Sequence, residues 1–99
     1  MKAEATQHFK AGKFDKAIES FYEAVNTVRF GNETFKNSKE GKTLELACRG
    51  NIALCKMKKN DWDGAIDQCE QILSKDEENF KAIYRMAQAL RKKNKEVNR

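Results

Sequence analysis

Lys81 and Arg85 stand one helical turn apart in NFKAIYRMAQALRKKNK, residues 79–95. With Gln88 and Lys92 they follow i, i+4, i+7, i+11, which stacks them as one polar stripe on a helix. A lysine offers a mobile point charge, and an arginine offers a planar fork of donors matched to a carboxylate. The pair is either a solvated helix face or part of a site for a negatively charged group. Asn51, thirty positions before Lys81, adds an uncharged amide donor; its helical neighbours Ala47, Leu54 and Cys55 are apolar. Its plainer reading is a bond to a neighbouring loop.

No catalytic constellation accompanies these donors. The chain has no glycine-rich phosphate loop, no HExxH and no cysteine with an evident base, so an enzyme is not expected. His8 has no base or ligand partner in the pattern and reads as a packing residue, as does Trp62. Cys48, Cys55 and Cys69 form no CxxC and have no histidine nearby, whereas zinc wants four closely spaced ligands. They read as buried free thiols in a reducing compartment, which points to the cytoplasm. No cofactor or metal set is expected.

The elements that must position the donors are helical. The 99 residues are 39% hydrophobic and 35% charged, with no proline and five glycines, which permits long helices and disfavours an all-β fold. No apolar run approaches the roughly 18 residues of a membrane span, and MKAEATQHFK lacks a signal-peptide core. A net charge of +5 favours acidic partners: peptides, nucleic acid or anionic lipid. Specific nucleic-acid binding is disfavoured, because the cations interleave with Asp and Glu and stacking aromatics are few.

GKFDKAIESFYEAV (12–25) aligns without gaps on NDWDGAIDQCEQIL (60–73), and each carries the apolar spacing of an amphipathic helix. A second helix precedes each. Ala5, Phe9 and Lys10 align on Ala53, Met57 and Lys58, and a shift of 34 places Ala53 on Ala87. Small residues at 5, 53 and 87 would let paired helices approach closely. The pattern predicts five helices, at about 2–11, 14–30, 41–58, 62–74 and 78–94. Gly12 sits at a helix C′ position; Asn60 and Asp61 are cap candidates for the fourth helix and Asp76 for the fifth. GNETFKNSKE (31–40) reads as a polar connector.

Helix pairs at a 34-residue period resemble the tetratricopeptide repeat (TPR). Its alanine-x3-phenylalanine element stands at Ala17 and Phe21, and weakened at Ala65 and Cys69; Ala5, Ala53 and Ala87 replace its glycine, and Glu77 its proline. The first spacing is 48, an insertion around 27–43 that resembles the repeats of FKBP-type immunophilins, as does the wording of NIALCKMKKNDWDGAIDQCEQIL. The resemblance implies an all-α, right-handed superhelix of about two and a half repeats in one domain, 1–99. Repeat 1 covers about 1–30, repeat 2 about 41–75, and the first helix of repeat 3 about 78–94. That last unit lacks its second helix, so a face is expected to stay unburied and the chain to be a fragment. Any peptidyl-prolyl isomerase domain would lie outside it.

In such a superhelix the first helix of each pair lines the concave face. That face would present Lys2, Thr6, Phe9 and Lys10, then Ala47, Gly50, Asn51, Leu54, Met57 and Lys58, then Lys81, Tyr84, Arg85, Gln88, Arg91 and Lys92. Co-chaperones of this family hold the C-terminal Glu-Glu-Val-Asp tail of Hsp90 or Hsp70 in a dicarboxylate clamp. Carried over by position, the clamp is Lys2, Thr6, Asn51, Lys81 and Arg85, with Thr6 standing where the pattern has asparagine. Phe9, Leu54 and Met57 would seat the tail's apolar side chains. The alternative is a scaffold for a different acidic or internal segment. Related immunophilins carry calmodulin-binding segments after their repeats; RKKNKEVNR stops before the apolar anchors such a segment needs and reads first as a solvated helix end.

Overall fold

The structure, a computed structural model, describes the backbone of residues 2–97 and the side chains of residues 4–96. It is all-α: α1 (Lys2–Lys10), α2 (Phe14–Phe30), α3 (Glu33–Lys36), α4 (Lys39–Lys58), α5 (Trp62–Lys75) and α6 (Phe80–Val97). Among the described residues six helices stand where five are expected, because the polar connector is itself partly helical. Asn32 Oδ1 accepts from Thr34 N at 2.7 Å, which opens α3, and Ser38 Oγ accepts from Gly41 N at 3.0 Å, which opens α4 two residues before its expected start. Both residues are of the type that satisfies orphan amides at a helix N-terminus.

Each long helix packs mainly on its sequence neighbours: α1 on α2, α2 on α4, α4 on α5, α5 on α6. The resulting slab measures 48 × 31 × 18 Å, and its thin dimension accommodates two layers of helices. The two hairpin turns use one device. After α1, Gly12 takes φ +77°; its N–H donates to the Phe9 carbonyl at 3.0 Å and the Lys13 N–H to the His8 carbonyl at 2.8 Å. After α4, Asn60 takes φ +63°, with Asn60 N to Met57 O at 3.0 Å and Asp61 N to Lys56 O at 2.8 Å. Both are Schellman closures. Asp61 then caps α5 through Gly64 N at 3.0 Å, leaving Asn60 as the left-handed residue rather than a cap. At α6 the capping oxygen belongs to Asn79, which accepts from Ala82 N at 3.0 Å; Asp76, the expected cap, instead accepts from the Asn79 amide at 3.3 Å.

Two apolar clusters follow from this stacking. Ala5, Ala17, Ile18, Phe21, Val25, Cys48 and Ile52 join α1, α2 and α4, with the Phe9 and Phe14 rings edge-on at 5.5 Å. Ala53, Cys69, Ile72 and Ala82 join α4, α5 and α6. The three thiols are buried; burial pushes Cys55 up to about 11, and it raises Cys69 as well, against the opposing charge of Arg85. Such thiols pack as small apolar groups. Ala5 and Ala53 are fully buried at the helix crossings, whereas Ala87 is exposed, flanked by the exposed Ile83 and Leu90. Among the described residues no helix lies against that face of α6.

One feature of the interior is ionic. Glu45, Arg49 and Gln68 are 5%, 6% and 3% exposed. Arg49 Nε donates to Glu45 Oε2 at 2.9 Å and its Nη1 to Gln68 Oε1 at 3.2 Å; Gln68 Nε2 donates to the Tyr22 hydroxyl at 2.7 Å, and Lys75 Nζ to Glu45 Oε2 at 2.8 Å. The network ties α4 to α2 and α5 on the side opposite the groove described next.

Candidate peptide-binding groove

Residues 43, 47, 50, 51 and 54 recur at three- and four-residue steps, so they share one face of α4. The opposite face, through Cys48, Ile52 and Cys55, is buried in the core. Fixing that face in the core fixes Asn51 toward the other side, where α1 and α6 flank it. Two clefts meet there. The larger, about 460 Å³, is lined by Thr43, Ala47, Gly50 and Asn51 of α4, by Lys81 and Arg85 of α6, and by Ile72, Asp76 and Asn79 between them. The smaller, about 80 Å³, is lined by Thr6 and Phe9 of α1, Phe21 of α2, and Asn51 and Leu54 of α4. Asn51 lines both, so the two clefts adjoin at Asn51, with donors and apolar walls from α1, α4 and α6 and further apolar side chains from Phe21 of α2 and Ile72 of α5.

The predicted residues fall as follows. Asn51, Lys81 and Arg85 come together in the larger cleft; Thr6, Phe9 and Leu54 come together in the smaller. Met57 is half-buried on α4 and lines neither cleft. The side chain of Lys2 lies outside the described residues.

The two cations differ in how they are held. Lys81 is exposed, and among the described residues it has no ion-pair partner. Arg85 is half-buried, and its Nη1 donates to the Gly50 carbonyl at 3.1 Å. Among the described residues no carboxylate pairs with either cation, but Asp76 lines the same cleft. The larger cleft therefore carries two cations and one carboxylate, and retains a positive balance suited to an anion that also brings N–H donors. Ile72, Asp76 and Asn79 depart from the first-helix lining that the repeat resemblance implies: they come from the end of α5 and the turn before α6. The position of Asp76 immediately after α5 was the available signal.

Farther along α6, Gln88, Arg91, Lys92 and Lys95 line a shallow cleft of about 230 Å³. The stripe inferred from spacing is thus split: Lys81 and Arg85 enter the groove, and Gln88 and Lys92 line a separate surface. Among the described residues no group of three or more His, Cys, Asp or Glu side chains is placed to hold a metal ion, and no helix is long and apolar enough to cross a membrane.

No protein-family profile matches the chain. Curated relatives do. The chain is 33% identical over 87 residues to FK506-binding protein 59 of Drosophila melanogaster, covering 88% of this chain and 19% of that protein. It is 29% identical over 91 residues to peptidyl-prolyl cis-trans isomerase FKBP4 of Homo sapiens, covering 90% and 20%. It is 30% identical over 92 residues to protein unc-45 homolog B of Danio rerio, covering 93% and 9%. The chain thus spans about a fifth or less of the length of these relatives. Matched along almost all of its own length, and folded as stacked helical hairpins, the chain is a tetratricopeptide-repeat interaction module resembling those of the FKBP-type immunophilins.

Proposed function

We propose that the groove captures the acidic C-terminal tail of Hsp90 or Hsp70, so that the module acts as a cytoplasmic co-chaperone adaptor with any isomerase activity residing outside this chain. The observation that carries the reading is Asn51 shared by two clefts, with Lys81 and Arg85 on one side and Thr6, Phe9 and Leu54 on the other. The last residue of a chain ending in Glu-Glu-Val-Asp presents two carboxylates, next to the apolar side chain of the valine. Its terminal and side-chain carboxylates fit the cationic cleft, and its valine fits the smaller, apolar one. Capture of a terminal carboxylate by converging donors is a recurring mode of peptide recognition. Lys2, at the start of α1, is proposed as a further cation of the clamp.

Each charge-assisted hydrogen bond contributes about 1.5–3 kcal/mol, so Lys81→Ala and Arg85→Ala should each weaken a free-acid Met-Glu-Glu-Val-Asp peptide about tenfold or more. Amidating the peptide's terminal carboxylate should weaken it comparably. Calorimetric titrations that leave all three affinities unchanged reject the clamp.

A second reading is favoured by Asp76, a carboxylate in the same cleft, and by Thr6, whose hydroxyl reaches less far than an asparagine amide. On that reading the module is a scaffold for another acidic or internal segment. Equal binding of free-acid and amidated peptides, with Lys81→Ala still harmful, would select it.

A further inference from the structure

We propose that Gly50 is a positioning residue for carboxylate recognition: the bare backbone it leaves on the groove face of α4 lets its carbonyl hold the Arg85 guanidinium ready for the ligand. The inference rests on the acidic-tail reading above. Gly50 is buried, lies inside a regular helix and lines the larger cleft. Its backbone is ordinary helix, so the freedom of glycine to take positive φ is not used there; only its lack of a side chain is. A Cβ at this position would lie 3.0 Å from Arg85 Nη1, while the next atom, Ile72 Cδ1, would be in ordinary contact at 4.0 Å. A methyl at position 50 therefore requires chiefly the guanidinium to give by a few tenths of an ångström, which disturbs the 3.1 Å bond from Arg85 Nη1 to the Gly50 carbonyl.

The consequence is a division of labour between the two cations. Glycine inside a helix is a poorer helix former than alanine, so Gly50 does not serve α4 itself. The contact it permits is with the groove's arginine. A guanidinium has five N–H donors in one rigid plane. Spending one on the Gly50 carbonyl fixes the plane and leaves others for the ligand. Lys81 has no such tether and acts as a mobile charge. A side chain already held loses less rotamer freedom when the ligand arrives. Releasing Arg85 should therefore weaken binding about threefold to tenfold, although its charge is untouched.

The test uses the whole 99-residue chain, a free-acid peptide ending in Glu-Glu-Val-Asp, and the same peptide amidated. Gly50→Ala should keep its helical signal and have a Tm equal to or above that of the wild type, yet bind the free acid about threefold to tenfold less tightly. The ratio of free-acid to amide affinity should shrink. In an Arg85→Ala background, Gly50→Ala should have no further effect on affinity, because the group it displaces is gone. A wild-type chain that does not prefer the free acid rejects the acidic-tail reading itself. A wild type that prefers it, with Gly50→Ala binding within twofold, rejects the role of Gly50 alone. So does a lost fold, or a loss of affinity that persists at full size in the Arg85→Ala background.

Discussion

Glu45 holds two cations on one carboxylate oxygen, with Arg49 Nε at 2.9 Å and Lys75 Nζ at 2.8 Å from Oε2. Burial alone would raise its pKa; the bonds from Lys75 and Arg49 outweigh burial and leave it below the ordinary 4.5. The carboxylate therefore binds its proton less readily folded than unfolded. Its contribution to stability is fully present above about pH 4.5 and is lost as the pH falls through the depressed folded value. Urea unfolding of the wild type should be insensitive to this group from pH 7 to 5 and weaken below it. Glu45→Gln should lack that acid-dependent component, and at pH 7 should cost about 3–5 kcal/mol, because Arg49 stays buried without its carboxylate. A variant as stable as the wild type at neutral pH would show that the network is passive. Lys75 is half exposed, so Lys75→Ala should cost much less than loss of Glu45.

At the scale of the helix, the left-handed residues are the sensitive points. Beyond its own chain neighbours, no atom of the described residues lies within 4 Å of where a Cβ on Gly12 would stand, so Gly12→Ala meets no clash and tests backbone conformation alone. It should cost about 1 kcal/mol, a Tm drop of several degrees for a domain of this size. Asn60→Gly, at the matching turn, should gain about 0.5 kcal/mol. Scanning calorimetry of both checks the pair, and a neutral Gly12→Ala would contradict the shared closure. Gly12 was legible in the sequence because a glycine just past an apolar-periodic segment has one common use. The start of α6 was harder, since Asp76 and Asn79 are both cap types three residues apart and composition does not rank them. α3 was hidden because GNETFKNSKE has no apolar period; only the capping bonds of Asn32 and Ser38 give it away. The Glu45–Arg49–Gln68 network was illegible for a different reason. Periodicity places polar residues outside, and these three face inward because they satisfy one another. In the groove, Asn51, Lys81 and Arg85 line one cleft, as their positions carried over from the repeat resemblance imply. Asp76 and Ile72 were missed because the end of α5 reaches the groove from the second layer.

For the whole molecule, connectivity sets where stability is lowest. The helices contact chiefly their neighbours in sequence, so the chain behaves as a short stack in which each hairpin is supported from either side. α4 is supported by α2 and α5, and α6 by α5 with a smaller contact to α4. The face of α6 carrying Ile83, Ala87 and Leu90 adds nothing, because it stays exposed. Amides of α6 should therefore exchange with solvent through local openings, well before those of α4. Yet α6 carries both Lys81 and Arg85, so two of the five proposed clamp residues sit on an end helix supported mainly by α5. A ligand that bridges those cations to Asn51 on α4 should close the opening by mass action, adding about 2.7 kcal/mol to local stability at a free concentration one hundred times its Kd. Hydrogen exchange with and without a saturating free-acid peptide would measure this directly. Protection should rise most in α6 and in the groove half of α4, and little in α2. A uniform rise, or one confined to α1 and α2, would mean that the acidic terminus is gripped elsewhere, because a ligand protects the helix whose opening would break its own contacts.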